Sequence, residues 1–310
     1  MKTDEEGSPK KVRIEASSKC QLKCPACPTA RGLNRDGVVG SGHLRFEDFA
    51  LFMERHSHVR HIELSNWGEI FLNPDLAKIV EHAHALGVAL SASGGVNFNH
   101  ASEEALEAMV RCGFEHMDIS IDGATNDTYS QYRVGGDLDH VLRNIRRLNR
   151  LKADYGSDKP QLTWKFIVFG HNEHELTQAR AIAQELGMEF RPALNFAEIW
   201  DVAAYAPVRD AVRVVSDSGL PVATYAEYEG HVGMPYLQPC LQLWDAPQVN
   251  WNGELLGCCH NTTESFGNVF VRGLDACMSN ERYRAMQALV AGKGETREDL
   301  PCHGCALRPD

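Results

Sequence analysis

Segments with strand-like and helix-like patterns alternate between residues 12 and 192 of this chain. The runs that predict β-strands span residues 12–16, 62–65, 88–92, 117–121, 162–169 and 189–192. The segments that predict helices span residues 45–55, 73–86, 103–112, 139–153 and 173–186. Six strand–helix units with right-handed crossovers build a parallel sheet and curl it. We therefore expect an α/β fold, a partial (β/α)6 TIM-like barrel with its chemistry at the carboxyl ends of the strands.

The rest of the chain divides around this barrel. Residues 1–10 are polar and expected to be disordered, and the barrel then occupies residues 11–194. Residues 195–235 have poor periodicity, which predicts a linker with substrate-facing loops. Residues 236–310 are expected to form a small C-terminal domain of a β-hairpin and a helix. We expect substrate selectivity to come from loops near four aromatic residues, Trp200, Tyr205, Tyr225 and Trp244.

Size, cysteine content and charge narrow the class of function. With 310 residues, 43% of them hydrophobic, the chain can bury one large core and a small second one. No apolar run reaches the ~20 residues of a membrane span, and the first residues do not form a secretory signal. Ten cysteines without a leader indicate metal ligation in a reducing cytosol, so we expect a cytoplasmic protein. The net charge of −11 argues against nucleic acid as a partner and favours a cationic substrate.

Three cysteines follow the first predicted strand: Cys20, Cys24 and Cys27. Thiolates at such short spacing suit an iron–sulfur cluster or zinc. Three thiolates on a four-iron cluster leave one iron open, whereas a closed zinc site needs a fourth ligand from elsewhere. The alternatives are therefore a zinc knuckle with a distant ligand, and unrelated core thiols. Lys23 and Pro25 would make a poor core strand, which disfavours the second alternative.

A second set of cysteines lies near the C-terminus. Residues 249–256 predict a hairpin that turns at Asn252–Gly253, and Cys258 follows its second strand. Four cysteines supply a closed set of thiolates, namely Cys240, Cys258, Cys302 and Cys305. Zinc fits this set taken alone. Its pairing with the first three cysteines favours an auxiliary [4Fe–4S] cluster.

The C-x3-C-x2-C spacing after a strand resembles the signature of the radical S-adenosylmethionine (SAM) enzymes. The resemblance implies that these cysteines hold a [4Fe–4S] cluster whose free iron chelates the amino and carboxylate groups of SAM. Ala26 stands where the family usually has an aromatic residue, so we expect weaker contact with the adenosyl group from this loop. Trp67-Gly68-Glu69 resembles the family's G-G-E motif, with Asn66 in place of the first glycine. It implies a carboxylate that binds the SAM ammonium and a glycine that lets backbone approach a ligand.

The stretch from Ser120 to Gly136 resembles radical SAM proteins that carry a C-terminal SPASM or twitch extension. The resemblance implies that Ser120, with Asp122, lies at the SAM ribose and that Arg133 binds the methionyl carboxylate, a role suited to a guanidinium. The C-terminal cysteines resemble the twitch domain, which implies one auxiliary [4Fe–4S] cluster. Without the resemblance, Asp122 would end a strand in a turn, Arg133 would form a surface ion pair and Glu69 would be an exposed loop acid.

Three cysteines lie outside both sets. Cys112 and Cys277 fall in helical patterns and are expected to be packing residues. Cys259 neighbours a proposed ligand, so we expect its side chain to point away from that of Cys258, into the cavity between the domains. There it would replace Cys258 as a ligand, remain a spectator or donate a hydrogen atom.

The compact, acidic chain resembles the aminoglycoside-tailoring radical SAM enzymes, since we expect no leader-gripping domain before residue 20. The resemblance implies hydrogen abstraction from a carbinol C–H of a small amino sugar or aminocyclitol, with dehydrogenation to a ketone in antibiotic biosynthesis. The second hypothesis is an epimerase with Cys259 as the hydrogen donor, and the third is modification of a peptide or protein side chain. A zinc-binding module is the alternative without catalysis. Expected partners are a small-molecule substrate and a flavodoxin- or ferredoxin-type electron donor, and neither nucleic acid nor membrane.

Overall fold

The computed structural model describes residues 8–194, 225–233, 240–295, 297–303 and 305. None of the helices in these ranges is long and apolar enough to cross a bilayer. The chain divides into two compact units. The first unit contains Met1–Lys19, Gly32–Ser91 and Cys240–Asp310, and the second contains Cys20–Arg31 and Ala92–Pro239.

The described residues form eight β-strands and eleven α-helices. The strands are β1 (Lys11–Ile14), β2 (His61–Glu63), β3 (Ala89–Val96), β4 (His116–Ser120), β5 (Gln161–Ile167), β6 (Glu189–Ala193), β7 (Gln248–Val249) and β8 (Leu255–Gly257). The helices are α1 (Phe46–Arg55), α2 (Leu76–Ala85), α3 (Glu103–Arg111), α4 (Asn126–Tyr132), α5 (Leu138–Tyr155), α6 (Leu176–Glu185), α7 (Tyr225–Val232), α8 (Gln242–Asp245), α9 (Val269–Arg272), α10 (Leu274–Met278) and α11 (Glu281–Val290). Two 3-10 turns cover Ile70–Leu72 and Glu173–Glu175.

The first unit contains the strand order β3-β2-β1-β7-β8. The pairs β1–β2, β2–β3 and β1–β7 are parallel, with Ile62 opposite both Val12 and Leu90. The pair β7–β8 is antiparallel and encloses the Asn252–Gly253 turn, so the predicted hairpin is confirmed. The C-terminal segment therefore extends the same sheet as β1, a long-range pairing that local sequence patterns do not encode.

The second unit contains the strand order β3-β4-β5-β6, to which β3 contributes the residues from Ala92 onwards. Trp164 of β5 lies opposite Ile119 and Phe190 in parallel register. Strand β3 extends to Val96, four residues beyond the predicted end, although it contains two glycines. A Cβ at Gly95 would lie 2.5 Å from Ser120 Oγ, so glycine is what allows β3 to continue beside the end of β4.

The long helix α5 shows why these segments fold as they do. Asp137 accepts hydrogen bonds from the backbone N–H groups of Asp139 and His140, which caps the first turn. Val141, Ile145 and Leu148 recur at helical spacing and are fully buried. Each such side chain contributes about 1.5–3 kcal/mol by its burial, so the apolar stripe anchors the helix.

The predicted α/β class with a parallel sheet is confirmed, and β1 to β6 occur in the order of a partial (β/α)6 barrel. Helices α4 and α7 were not predicted, and the described part of the C-terminal segment contains four helices, α8 to α11, where one was expected. Helix α4 begins after Thr125, whose side chain accepts a hydrogen bond from Thr128 N at 3.3 Å, a cap that the motif comparison obscured. Helix α7 lies within the predicted linker, of which residues 195–224 and 234–235 lie outside the described residues.

Candidate active site

The first cysteine loop belongs to the second unit, where it packs on an apolar cluster. Cys24 is buried in this cluster, and Cys20 and Cys27 pack against it. Ala26, which lacks the aromatic ring usual in the family that the motif resembles, packs on the same cluster. Two aromatic rings of the cluster, those of Tyr132 and Phe169, lie 4.3 Å apart between centroids. Aromatic bulk beside this loop therefore comes from other elements of the second unit.

Two of the three thiols in this loop have side-chain donors beside them. Asn97, at the end of β3, places Nδ2 3.5 Å from Cys20 Sγ. Arg133, which follows α4, places Nη1 3.9 Å from Cys24 Sγ. Burial raises the pKa of the Cys24 thiol, and the Arg133 charge opposes this effect. A cation and an amide aimed at sulfur suit thiolates that carry negative charge in a cluster.

Asp122 and Arg133 form a buried ion pair with Nε 2.7 Å from Oδ2. The other carboxylate oxygen of Asp122 accepts a hydrogen bond from Ile167 N at 2.8 Å. Burial acts to lower the pKa of Arg133, but the charges of Asp122 and Cys24 outweigh it and raise the pKa. The structure thus brings together two residues that were predicted to contact SAM. The alternative interpretation, in which Arg133 forms a surface ion pair, does not hold because the pair is largely buried. Contact of either residue with SAM remains a prediction.

Ser120 ends β4, and its cross-strand neighbour is Lys165 of β5. The same register places Lys165 opposite Arg191 of β6. Asp118 is buried on β4 and accepts ion pairs from His116 Nε2 at 2.6 Å and from Arg191 Nη1 at 3.4 Å. Sequence reasoning missed this polar surface. The signal was available, since lysine interrupts an otherwise apolar run in β5 and an aspartate interrupts one in β4.

The predicted SAM-ammonium motif, Trp67-Gly68-Glu69, lies in the first unit. A Cβ at Gly68 would lie 2.2 Å from Ser17 O and 2.6 Å from Lys19 O, so glycine permits the backbone to pack on the residues that precede Cys20. Glu69 N donates to Lys19 O at 2.8 Å. Glu69 is buried and not an exposed loop acid, and it accepts a hydrogen bond from Phe71 N at 3.2 Å.

Glu15 holds this motif and was missed by sequence reasoning. Its carboxylate accepts two hydrogen bonds from Trp67 N, at 2.9 and 3.1 Å, and one from Gly68 N at 3.1 Å. Burial raises the pKa of Glu15 to about 7, and the backbone N–H groups of Trp67 and Gly68 oppose the rise. The signal available in the sequence was a glutamate at the end of the alternating strand, just before the cysteine loop. Asn66, which precedes the Trp67-Gly68-Glu69 motif, donates from Nδ2 to Cys259 O at 3.2 Å. This hydrogen bond connects the motif to the C-terminal segment.

The C-terminal cysteines lie in the first unit, and three of their thiols form a chain. The Cys258 thiol lies close enough to the thiols of both Cys240 and Cys259 for each pair to influence the pKa of its members. The expectation that the Cys259 side chain points away from Cys258, into a cavity, stays a prediction. The interaction with Cys258 lowers the pKa of the Cys259 thiol against the opposing effect of burial.

Backbone N–H groups point at the sulfur atoms of this second set. His260 N donates to Cys258 Sγ at 3.4 Å. The backbone N–H groups of Gln242 and Leu243 act to lower the pKa of the Cys240 thiol, but its interaction with Cys258 and burial outweigh them and raise the pKa. Gln242 Oε1 accepts from Cys259 N at 3.2 Å, while its Nε2 is buried without a hydrogen-bond partner among the described residues. These donors suit a site rich in anionic sulfur.

The last two predicted ligands, Cys302 and Cys305, lie in one turn, with Cys305 N donating to Cys302 O at 3.3 Å. Burial raises the pKa of the Tyr283 hydroxyl. The charges of three cysteines raise it further, namely those of Cys240, Cys258 and Cys302. Within the described part of the chain, no three His, Cys, Asp or Glu side chains converge on a single metal ion. Each thiolate of a four-iron cluster binds its own iron, so the donor chemistry is the relevant test, and both sets fit it.

The remaining residues singled out from sequence have simpler positions. All ten cysteines are described and none forms a disulfide. Cys277 is fully buried, as expected for a packing residue, and Cys112 ends α3 in a half-buried position. Trp244 is half-buried in α8. Trp200, Tyr205 and the side chain of Tyr225 lie outside the described residues.

Sequence relatives cover different shares of the chain. A PqqA peptide cyclase of Rhodopseudomonas palustris is 22% identical over 316 residues, which cover 97% of this chain and 80% of that protein. A GTP 3′,8-cyclase of Listeria welshimeri is 24% identical over 73% of this chain and 62% of its own length. An AdoMet-dependent heme synthase of Methanosarcina barkeri is 26% identical over 58% of this chain and 48% of its own length. This chain therefore spans about half the length of the heme synthase.

Two solved structures share the fold. Streptococcus suis SuiB bound to S-adenosylmethionine matches with a TM-score of 0.67 and 12% identity, over 97% of this chain and 71% of SuiB. BtrN in complex with AdoMet and 2-DOIA matches with a TM-score of 0.50 and 12% identity, over 92% of this chain and 87% of BtrN.

Family models agree with both cysteine regions. The model of the SPASM iron–sulfur cluster-binding domain matches residues 240–306, and that of the radical SAM superfamily matches residues 14–179, more than half of the chain. The two matches imply a SAM-binding [4Fe–4S] cluster, SAM and an auxiliary cluster, and they favour iron–sulfur chemistry over zinc in both sets. This chain belongs to the radical SAM superfamily.

Proposed function

We propose that this radical SAM enzyme oxidises a carbinol carbon of a small amino sugar or aminocyclitol to a ketone. The observation that carries the proposal is the second cysteine set. In this set the thiols of Cys240 and Cys258 lie close together, and His260 N donates a hydrogen bond to Cys258 Sγ. Removal of one hydrogen atom leaves a substrate radical, and oxidation to a ketone then requires an acceptor for one more electron. An auxiliary cluster in this segment provides that acceptor.

The residues of the chain divide the work. Cys20, Cys24 and Cys27 hold the SAM-binding cluster, while Cys240, Cys258, Cys302 and Cys305 hold the auxiliary one. When bound, SAM and the reduced cluster supply a 5′-deoxyadenosyl radical, which removes the hydrogen atom. Asp122 orients Arg133 beside Cys24, and the guanidinium has further N–H groups for the SAM carboxylate.

Glu15 fixes the Trp67-Gly68-Glu69 turn for the SAM ammonium. Ser120 and Asp122 are assigned to the ribose side of the cofactor. These roles are part of the proposal and follow the motif resemblance together with the contacts above.

The match to BtrN and the net charge support a small cationic substrate. BtrN, whose structure contains AdoMet and 2-DOIA, matches over 87% of its own length, and in a second structure over 94%. The net charge of −11 raises the local concentration of cationic amines by long-range attraction. Antibiotic biosynthesis, a flavodoxin- or ferredoxin-type electron donor and a cytoplasmic setting belong to the same proposal.

Peptide modification is the second candidate. The PqqA peptide cyclase aligns over 97% of this chain, and SuiB has been solved bound to the precursor peptide SuiA. An auxiliary cluster would serve peptide oxidation as well, because that reaction also leaves one electron to remove.

Epimerisation with Cys259 as the hydrogen donor has weaker support. The Cys259 thiol interacts with Cys258, a residue that the proposal assigns to the auxiliary cluster and not to the substrate. An epimerase would return a hydrogen atom from this thiol to the substrate, so solvent deuterium would enter a product of otherwise unchanged mass.

The test is anaerobic turnover of reconstituted enzyme with SAM and dithionite, using 2-DOIA and SuiA as separate probes. We expect 2-DOIA to lose two hydrogen atoms with one 5′-deoxyadenosine formed per ketone. Cys258→Ala should still cleave SAM but should not form ketone, and Cys112→Ala is the matched control because this thiol lies outside both cysteine sets. Oxidation of SuiA with no reaction of 2-DOIA would overturn the small-molecule proposal. Deuterium uptake that Cys259→Ala abolishes would replace it with epimerisation.

A further inference from the structure

Strands β4, β5 and β6 present a polar face within the second unit. Asp118, Thr163 and Glu189 are cross-strand neighbours, and the next step along the same face brings Ser120, Lys165 and Arg191 together. The intervening residues Met117, Ile119 and Trp164 are fully buried apolar side chains. Successive side chains of a strand alternate between faces, so the polar residues share the face opposite to the apolar core.

Most charged groups on this face already have partners. Asp118 pairs with His116 and Arg191, and Arg191 also contacts Glu189 at 3.2 Å. By contrast, Lys165 Nζ makes no hydrogen bond or ion pair with any residue in the described ranges. The lysine is nevertheless only half-exposed, in the middle of a strand. A partly buried amine left without a bonding partner is a group available to a ligand.

The charges around Lys165 determine its protonation. Burial lowers the pKa of its amine. Asp118 and Asp122 oppose that shift, whereas Arg133 and Arg191 add to it. The four charges come from β4, β6 and the loops that follow β4 and α4, two of each sign, and each has a smaller effect on the pKa than burial. Burial therefore prevails, and the neutral amine, which can accept a proton, becomes accessible nearer to neutral pH.

We propose that Lys165 is the catalytic base that takes the hydroxyl proton from the substrate radical. The inference rests on the proposed function and deepens it. Lys165 neighbours Ser120, which the proposal assigns to the SAM ribose, and the Asp122–Arg133 pair, which it assigns to the cofactor. The reacting carbon must lie next to the ribose carbon that takes its hydrogen atom, so a base on this face can reach the hydroxyl.

This oxidation conserves atoms and electrons. The carbinol C–H bond breaks and its hydrogen atom passes to the 5′-deoxyadenosyl radical. The O–H bond then breaks, its proton passes to the lone pair of Lys165 Nζ, and the carbon–oxygen double bond forms as one electron leaves the carbon. The auxiliary cluster, when bound by the second cysteine set, would be the acceptor for that electron. The products are the ketone, 5′-deoxyadenosine and methionine, together with a protonated lysine and one electron on the acceptor. Solvent then takes the proton from the lysine, and an external acceptor takes the electron.

The experiment compares Lys165→Met, Lys165→Ala and Lys165→Arg with wild type. We expect each to retain iron content and SAM binding while ketone formation from 2-DOIA falls by about a hundredfold or more. Arginine keeps the charge but does not act as a base, so a purely electrostatic role would leave Lys165→Arg active. Methylamine and weaker primary amines should restore Lys165→Ala in an order set by their basicity. Lys152→Met is the matched control, because Lys152 is also half-buried but donates to Pro160 O at 3.0 Å.

Wild-type ketone formation by Lys165→Arg, or absence of amine rescue in a folded Lys165→Ala protein, would overturn the inference. A second arm needs neither a substrate nor a variant. Competitive acetylation of the wild-type holoenzyme across pH, read by mass spectrometry, should give Lys165 a lower midpoint than the exposed Lys293. Equal midpoints would exclude Lys165 as the base, whereas failure of wild type to oxidise 2-DOIA would exclude only the proposed substrate.

Discussion

The two cysteine regions surround their sulfur atoms in different ways. In the first, the donors are side chains from other elements, the Asn97 amide at Cys20 and the Arg133 guanidinium at Cys24. In the second, the donors at Cys240 and Cys258 are backbone N–H groups. Side-chain donors can carry full charge and can be removed by a single substitution. Backbone donors carry a partial charge and persist whatever side chain is present.

This difference suits two clusters with different tasks. A cluster that binds SAM must accommodate the cofactor's carboxylate, and a buried guanidinium beside one ligand supplies positive charge for it. An auxiliary cluster that accepts an electron needs a stable potential, which fixed N–H dipoles provide. The comparison therefore predicts that the most damaging point substitution removes the charged donor of the first region.

The largest effect is expected for Arg133→Leu. The substitution leaves the Asp122 carboxylate, which is fully buried, without its cation. Removal of one partner of a buried pair costs about 3–5 kcal/mol. Denaturant unfolding under anaerobic conditions should show this loss, together with loss of SAM-dependent 5′-deoxyadenosine formation.

The control for Arg133 is the double variant Arg133→Leu with Asp122→Leu, which removes both charges and should recover part of the stability. Recovery of SAM cleavage is not expected, since the guanidinium would still be missing. If Arg133→Leu unfolds at the wild-type denaturant concentration, the pair does not anchor the first region.

The next effect concerns Glu15, a buried carboxyl group that accepts hydrogen bonds from the backbone N–H groups of Trp67 and Gly68. Its pKa is raised to about 7 in the folded protein, above the ordinary value of 4.5. The folded state keeps the proton that the unfolded state releases, so the stability present at low pH is lost as pH rises towards 7. Relative to Glu15→Gln, the wild-type free energy of unfolding should fall by about 1 kcal/mol over the pH unit below 7 and then level off. A difference that does not vary with pH would show that the carboxyl is not buried as described.

A smaller effect is expected for Gln242→Leu in the second region. Gln242 Nε2 is a buried donor without a partner among the described residues, and Cys259 N holds the other end of the amide. We expect this donor to stabilise the reduced auxiliary cluster. Its loss should lower the ratio of reduced to oxidised cluster about tenfold at a fixed potential, a shift of about 59 mV for one electron.

Redox titration followed by electron paramagnetic resonance measures this ratio for each cluster. Gln287→Leu is the matched control, because its amide donates to Leu243 O at 3.2 Å and has no assigned role at sulfur. An unchanged auxiliary potential in Gln242→Leu, with the cluster intact, would leave the backbone N–H groups as the donors that matter.

The smallest effect is expected for Asn97→Ala in the first region. The amide is a neutral donor to the half-buried Cys20 Sγ at 3.5 Å, and its oxygen also accepts from Gln21 Nε2 at 2.8 Å. The potential of the SAM-binding cluster should therefore fall by less than the auxiliary potential falls in Gln242→Leu. A larger shift would reverse the ranking of the two amides.

Local patterns were sufficient for much of the fold. The periodicity of β1 to β6, the turn at Asn252–Gly253 and the cysteine spacings involve residues close in sequence. The predicted position of Cys277 in the core followed from its apolar helical surroundings. These features needed no long-range information.

The missed features depend on pairings between distant residues. Glu15 looked like the outward residue of an alternating strand, and its contacts with Trp67 and Gly68 arise when the loop after β2 folds back on β1. Lys165 gained significance from its register with Ser120. The proximity of the Cys240 and Cys258 thiols joins two segments that are 18 residues apart in sequence.

The central claim is that two independent sets of cysteines hold two clusters, of which the first cleaves SAM. The most direct measurement is iron content with 5′-deoxyadenosine formation in the triple variant of Cys20, Cys24 and Cys27 to alanine. The account predicts that iron falls from about eight to about four atoms per chain and that SAM cleavage is abolished. Retention of SAM cleavage at the wild-type rate, or loss of all iron from a folded protein, would contradict it.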